Sequence, residues 1–380
     1  MAKNRIDNRV AQIRKSRGLA ASDLAKRVGV IRQTIYAVER GTYVPNTELA
    51  LLLARELEVR VDELFALPPG PTKAPDSLSV EILSASAPVK GQPVRICQIG
   101  SKWVGVPVSA TPYYLPEADG IVERLWRPGG RPPGLAAQLA VFAKDQTTDK
   151  RLILAGCDPA TSLLSTMVER ISGIEIVTAA ASSKLALAWL KEDRVHIAGS
   201  HLEDPLTGEF NVPYVRQEFP DNEIVIVTFA HWEEGFVVAS GNPKKIRKPE
   251  DLAQRGVHFV NREPGSGSRG LLDKLLASCG LPSTKIRGYD HVAYGHLAAA
   301  YSVVCGESDV CLATRSAAQT FNLDFVPLHG ERYDLVMRKR TAELPSVIAF
   351  LDVLQRATLR RKLETLAGYD TSETGTVIAA

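Results

Sequence analysis

Arg151-Leu-Ile-Leu-Ala155, then Gly156-Cys157-Asp158-Pro159, then a helical period from Ala160 to Ile171: this stretch decides the reading of the larger part of the chain. The aliphatic run is a strand covered on both faces. The small and turn-forming residues after it end the strand and open a helix. The same unit recurs downstream. Ile174 to Thr178 is a strand, Ala181-Ser182-Ser183 a turn, and Lys184 to Lys191 a helix. Val195 to Gly199 is a further strand, as are Glu223 to Phe229, Phe236 to Ala239 and Val257 to Val260. The last of these leads through Asn261-Arg-Glu-Pro-Gly-Ser-Gly-Ser-Arg269 into a helix, Gly270 to Cys279. Asp309 to Ala313, Asp324 to Leu328 and Asp334 to Met337 complete the set. Such alternation predicts parallel sheets covered by helices. Strands near 223–239 and 324–337 let the chain cross twice between two lobes.

Three strand-to-helix turns are rich in small residues: Asp158 to Ser162, Ser182-Ser183 and Ser266 to Arg269. A helix N-terminus presents unpaired N–H groups and a partial positive charge. Three of them converging on one cleft make a site for a compact anion. The candidate ligand contacts are therefore Asp158, Thr161, Ser162, Ser182, Ser183, Ser266, Gly267, Ser268 and Arg269, with His201, His296 and Tyr333 as further donors. The Asp158 carboxylate would repel an anion and is expected to cap its helix instead. Arg269 is expected to touch the ligand, or else to clamp Glu263 or Asp273.

Gly156-Cys-Asp-Pro-Ala160, Ala198-Gly-Ser-His-Leu202, Thr207-Gly-Glu-Phe-Asn-Val-Pro213, Gly241-Asn-Pro243, Asn261 to Arg269, Asp324-Phe-Val-Pro327 and Glu331-Arg-Tyr-Asp-Leu335 resemble the periplasmic-binding-protein-like domains fused to bacterial regulators. The resemblance covers about 150–370. It implies a two-lobed fold with ligand between the lobes, related to type 2 solute-binding proteins that include those for molybdate and tungstate. In such regulators the domain is a cytoplasmic sensor.

The other end of the chain is different. Net charge is +3 over 380 residues, yet residues 1–40 hold ten Lys/Arg against three Asp/Glu. A basic block at one end of a near-neutral chain is the footprint of a nucleic-acid contact. Ile6, Val10 and Ile13 recur at helical spacing, and Gly18, Gly29 and Gly41 punctuate the helices that follow. Two short helices around a Gly-containing turn form a helix-turn-helix, whose second helix here is Arg32 to Glu39. Arg32, Gln33, Thr34, Tyr36 and Arg40 are the candidate DNA contacts. Gly18-Leu19, Leu24-Ala25, Val28-Gly29-Val30, Arg32 to Ile35, Val38 to Gly41, Pro45 and Leu57-Glu58-Val59 to Leu64-Phe65 resemble the Xre/Cro-type helix-turn-helix family. Two positions depart from it: Ala21 stands where the family usually has Gln, and Ile31 where it has a Ser cap. The alternative reading is a helical bundle that docks protein.

Between the two ends lies Leu67-Pro-Pro-Gly-Pro-Thr-Lys-Ala-Pro75, an extended linker. Strands are predicted at Val94 to Ile99, Lys102 to Val108 and Gly120 to Trp126, and a loop at Arg127 to Gly134. The organisation predicted is multidomain. An all-α helix-turn-helix bundle occupies 1–66, a Pro-rich linker 67–77, and a small β-rich segment 78–148. An α/β two-lobed periplasmic-binding-protein-like domain occupies 149–380.

Other chemistries are disfavoured. The five cysteines are scattered and none forms a CxxC pair, which argues against a disulfide scaffold or a zinc knuckle. No apolar run is long enough to span a membrane. Gly265 to Gly270 satisfies GxGxxG, but three residues separate it from the strand, where a dinucleotide fingerprint wants an immediate turn. Cys157 precedes a helix N-terminus but has no obvious partner base. His291 and His296 are five apart, a poor metal pair. The expectation is a non-enzymatic, homodimeric regulator of the cytoplasm that binds double-stranded operator DNA and a small anionic ligand, with no cofactor and no metal. The rival reading is an enzyme using the anion cleft for phosphate- or cofactor-linked chemistry.

Overall fold

The computed structural model describes residues 6–66, 76–84, 87–108, 117–127, 135–142, 150–220 and 223–378. The chain divides into two compact units, Met1–Pro75 and Asp76–Ala380.

The first unit is helical. A two-residue strand β1 (Asp7–Asn8) precedes α1 (Val10–Ser16), α2 (Ala21–Arg27), α3 (Arg32–Glu39), α4 (Thr47–Glu56) and α5 (Val61–Leu64), and β2 (Phe65–Ala66) returns to pair with β1. Leu24, Ile35, Val38, Leu53, Leu57 and Leu64, from α2 to α5 and the turn after α4, are fully buried, and their burial holds the bundle. Gly18, Gly29 and Gly41 all sit in the left-handed region, as helix-ending glycines do. Not every basic residue remains available to a partner. Arg14 is buried and its Nε donates to Glu39 Oε1 at 2.5 Å, while its Nη1 donates to the Leu19 carbonyl at 2.6 Å. This tie fixes α3 against α1. Ile31 is the N-cap of α3 and gives it no side-chain cap; it is 67% exposed. Ala21 is buried in the bundle core.

The second unit opens with a closed five-stranded barrel: β3 (Asp76–Ile82), β4 (Pro93–Ile99), β5 (Lys102–Pro107), β6 (Gly120–Trp126) and β7 (Ala136–Val141), in the order β3-β5-β4-β6-β7. The expected strands are present, and β3 and β7, which the sequence reading left out, close the ring. Asp76 and Ser77, assigned to the linker from sequence, belong to β3. The remainder of that linker, the loop over 128–134 and the break at Pro112 lie outside the described residues.

Then come β8 (Arg151–Gly156), α6 (Thr161–Ser172), β9 (Glu175–Ala180), α7 (Ser183–Lys191), β10 (Ile197–Ser200) and α8 (Val212–Glu218). These form lobe 1. The long β11 (Ile224–Val238) leads into lobe 2, made of β12 (Phe259–Arg262), α9 (Gly267–Ser278), β13 (Val292–Ala293), α10 (His296–Val304), β14 (Val310–Thr314) and α11 (Arg315–Thr320). β15 (Asp324–Arg338) returns to lobe 1, where α12 (Lys339–Ala342), α13 (Pro345–Leu354), α14 (Ala357–Lys362) and β16 (Val377–Ile378) finish the chain.

The sheet order is β13-β12-β14-β11-β15-β10-β8-β9, with β16 on β11. It is mixed, not parallel throughout. Two parallel groups, β10-β8-β9 and β13-β12-β14, are joined by the antiparallel pair β11–β15. The sequence reading split each of these long strands in two. The split fell where Ala-His-Trp-Glu-Glu-Gly235 and His-Gly-Glu-Arg332 interrupt the apolar run. There the strands carry buried polar residues, Glu234 and Glu331, and register shifts at Thr228/Ala230 and Glu234/Gly235. Bulges of this kind re-aim side chains without ending a strand. At Gly235 a Cβ would strike the Val326 carbonyl, so the close pairing requires glycine.

The barrel is not a loose appendage. Leu83, Cys97, Val104 and Val106 share one apolar core with Ile153, Ala155, Val177 and Ala179 of lobe 1. Around that core, Arg151 Nη1 donates to Asp119 at 2.8 Å and to the Ile96 carbonyl at 2.9 Å, and Arg194 Nη2 donates to the Ile82 carbonyl at 2.7 Å.

Candidate functional site

A cleft of about 1210 Å³ opens between the lobes. Its lobe 1 wall comes from the ends of β8 and β9 and the starts of α6 and α7: Cys157, Asp158, Thr161, Ser162, Ser182 and Lys184 line it. Its lobe 2 wall is Glu263, Pro264 and the segment Tyr294 to Ala298 at the start of α10. The barrel contributes Leu83, Ser84, Arg95, Val106 and Glu117, a role for residues 78–148 that carried no signal in the sequence.

The three turns do not contribute equally. Thr161 and Ser162 open α6 onto the cleft. Ser182 caps α7 through Leu185 N–H at 3.4 Å and also faces the cleft. Asp158 behaves as a turn residue: its Oδ1 accepts from Ala160 N–H at 2.6 Å and from the Tyr369 hydroxyl at 3.0 Å. Burial pushes this carboxyl up to about 7. Ser183 points inward, and its Oγ accepts from His201 N–H at 3.2 Å.

The turn before α9 is closed. Ser266 caps the helix, accepting from Arg269 N–H at 3.2 Å and donating to the Glu263 carbonyl at 2.8 Å. Ser268 is fully buried and donates to Glu234 at 2.7 Å. Gly267 packs on His201 so closely that a Cβ would meet the imidazole ring. Arg269 lies with its guanidinium 4.2 Å from the centre of the Tyr289 ring, donates to the Arg262 carbonyl at 3.3 Å and sits 3.9 Å from Asp273. It clamps its own lobe and does not line the cleft. Of the three turns expected to converge on one cleft, two line it, together with the start of α10, and the turn before α9 does not. Lys184, an exposed cation at the mouth of α7, and Gly295, Leu297 and Ala298 were missed, while His296 was among the expected donors. The Gly295-His296 junction has no cap residue and gave no signal as a helix start.

Beneath the cleft lies a buried polar cluster. Cys157 Sγ is 3.3 Å from His201 Nε2, and His201 Nδ1 is 2.5 Å from Glu331 Oε2. The expectation that Cys157 lacks a partner base is therefore overturned; the partner stands at the end of β10. Trp232 Nε1 donates to the same Glu331 oxygen at 3.4 Å. His296, at the start of α10, sits with Nδ1 3.5 Å from Glu234 Oε1, and neither of its ring nitrogens has a hydrogen-bond partner among the described residues. Arg262 is the cluster's cation, and Glu263 takes it in a two-point pair at 2.9 and 3.0 Å. Tyr333 is wedged between Gly156 and Gly199, where a Cβ on either would reach its hydroxyl. It is buried below the cleft, as are Ser183, His201 and Ser268.

Burial raises Glu234, further raised by the neighbouring Glu331, to about 8, and burial raises Glu331 likewise to about 8. Burial acts to lower His201, but the Cys157 sulfur outweighs it and leaves the imidazole raised. His296 is pushed well below its ordinary value by burial and by Arg262. His291, once considered with His296, instead stacks on His258 at 6.0 Å.

In the first unit, Arg32, Gln33 and Arg40 are exposed on and just beyond α3, and Thr34 and Tyr36 are half-buried beside them. Arg32 Nη2 donates to the Tyr36 hydroxyl at 2.7 Å. No helix among the described residues is long and apolar enough to cross a membrane.

Comparison with known proteins agrees with both halves. The PBP superfamily domain matches residues 165–355, half of the chain, and the helix-turn-helix family matches residues 10–64. The uncharacterized protein YvgK of Bacillus subtilis is 30% identical over 60% of this chain and 73% of its own length. The uncharacterized HTH-type transcriptional regulator MJ0272 of Methanocaldococcus jannaschii is 40% identical over 15% of this chain and 88% of its own length. Among solved structures, the sulfate-binding protein SubI of Mycobacterium tuberculosis aligns over 58% of this chain and 86% of its own, with 16% identity and a TM-score of 0.44. A helix-turn-helix bundle followed by a two-lobed α/β body with a cleft between its lobes is thus matched at both ends, and the chain belongs to the family of the PBP superfamily domain, carried here behind an N-terminal helix-turn-helix domain.

Proposed function

We propose that this protein is a ligand-responsive transcription regulator of the cytoplasm that binds operator DNA as a homodimer and senses a small anion in the cleft, of the molybdate or tungstate class. The single observation that supports the anion most is the lining of the cleft. The N-terminal turns of α6, α7 and α10 face it, with Lys184 as an exposed cation. Unpaired N–H groups at helix starts solvate a compact anion without a bulky counter-ion. Of the carboxyls that line the cleft, Glu263 is paired with Arg262, Glu117 with Arg95, and Asp158, raised to about 7, is about half uncharged at pH 7. Contacts are proposed at Thr161, Ser162, Ser182, Lys184 and the backbone of Leu297 and Ala298. Ser183, His201, Ser266, Gly267, Ser268, Arg269 and Tyr333 support the cleft from behind.

On the DNA side, the motif match and the exposed face of α3 support major-groove reading by Arg32 and Gln33, with Arg40 on phosphate. Two-fold operators favour a dimer. The test has two arms. Thermal shift over oxyanions should single out one with a saturating stabilisation, and that oxyanion should change operator affinity. Arg32→Ala or Gln33→Ala should weaken operator binding by about 1–3 kcal/mol. Operator binding that survives removal of residues 1–66 sinks the DNA assignment. Stabilisation unaffected by Lys184→Ala and Ser182→Ala together sinks the anion site.

A further inference from the structure

Cys157 and His201 belong to lobe 1 and His296 to lobe 2, yet their ligand atoms lie within 4.8 Å of one another at the base of the cleft. Around a tetrahedral zinc, sulfur and nitrogen ligands stand about 3.5 Å apart and two nitrogens about 3.3 Å. Cys157 Sγ and His201 Nε2 are already at 3.3 Å. His296 has to approach by at most about 1.5 Å to complete three-point coordination.

The surroundings are those of a ligand set rather than of a structural histidine pair. His201 holds Glu331 on its far nitrogen at 2.5 Å, the carboxylate–imidazole arrangement that fixes a metal-binding tautomer. His296 is 1% exposed with both ring nitrogens unpartnered, a costly state for a buried polar ring.

We infer that Cys157, His201 and His296 bind one transition-metal ion of the zinc class, closing lobe 1 on lobe 2, with a fourth coordination position facing the cleft. One thiolate and two imidazoles suit a borderline-soft ion and not magnesium or calcium. Cys157 and His296 both line the cleft, so the fourth position is reachable from it. The ion acts as a staple: a ligand set split between lobes binds well only when they are together, so metal shifts the open–closed balance by its differential affinity. This inference stands independently of anion binding, since it uses neither Lys184 nor the helix N-termini.

The test uses the full chain with Zn²⁺ and Co²⁺ as probes, Mg²⁺ as control, and no anion or DNA. Equilibrium dialysis should give one Zn²⁺ per chain, and Co²⁺ should give thiolate charge-transfer absorption. Cys157→Ser should abolish that absorption. His296→Gln should weaken Zn²⁺ binding by more than Glu331→Gln, which touches a ligand and should weaken it about 10–100-fold. Cys305→Ser, exposed elsewhere, should change nothing. On the unmutated chain Zn²⁺ should protect the Cys157 peptide from alkylation, which keeps the test independent of variant folding. Failure to bind one Zn²⁺ per chain, or binding that leaves Cys157 alkylation unchanged, overturns the proposal.

Discussion

Lobe 1 and lobe 2 use the same local device, a small-residue turn opening a helix, to opposite ends. In lobe 1 the starts of α6 and α7 face the cleft, and the lobe behind them is braced by a barrel with which it shares a core. In lobe 2 the start of α9 is closed by its own side chains, and a different helix start, that of α10, faces the cleft. Helix N-termini are therefore interchangeable as sequence and not as sites. What decides is whether the first-turn donors meet the cleft or the residues before them.

The largest effect should come from cutting the brace of lobe 1. Asp119→Ala removes one of the two carboxylates paired with the half-buried Arg151, Glu175 being the other, and leaves the buried Ile96 N–H without its acceptor; together these should cost about 3–4 kcal/mol. The matching cut in lobe 2, Asp273→Ala, touches an exposed carboxylate near Arg269 and should cost under about 1 kcal/mol. Urea unfolding of the two variants checks the contrast; equal losses would break it.

Next in size is pH. His196 of lobe 1 is buried, accepts from Ile153 N–H at 3.0 Å, and is lowered by burial from 6.5 to about 4. Its neutral form is the one the fold accepts. The contribution is present above about 6.5 and is lost as pH falls toward about 4, to an extent on the order of 3 kcal/mol. Melting curves between these limits should fall less steeply for His196→Gln than for the unaltered chain.

The ligand arm is smaller. Lys184→Ala should weaken anion binding about tenfold to a hundredfold, the range of a charge-assisted hydrogen bond, while Arg269→Ala leaves it within about threefold. Titration calorimetry with the selected oxyanion checks both; a larger loss at Arg269 would reverse the comparison. The smallest effect separates two caps. Ser182→Ala and Ser266→Ala should each cost about 1 kcal/mol of stability, and only the first should alter anion affinity.

The extent to which each feature was legible follows from how local its determinants are. The helix-turn-helix could be read because spacing, glycine punctuation and exposed Arg32 and Gln33 all fall within one short stretch. Lobe 1 could be read because Leu152–Ala155 and Ile176-Val177 are short apolar runs that lead straight into small-residue turns. The hinge strands were cut in two because buried polar residues, Glu234 and Glu331, look like loop in a one-dimensional pattern. For Arg269 the sequence left two readings open, ligand or a clamp on Asp273; the i,i+4 spacing made the clamp legible, while Tyr289, on which it stacks, comes into contact only through the fold. The Cys157–His201–Glu331 contacts join residues 44 and 130 positions apart, which no local spacing records.

The shared core of barrel and lobe 1 has a consequence for how the protein can be divided. Excising residues 165–355, the segment that the family match covers, would strip Val177 and Ala179 of Leu83, Cys97, Val104 and Val106, and their strand of β8 beside it. Opening the ring would also leave two strands with unpaired edges. The smallest transplantable cassette is therefore Asp76–Ala380, and a sensor grafted onto a foreign DNA-binding head must carry its barrel with it.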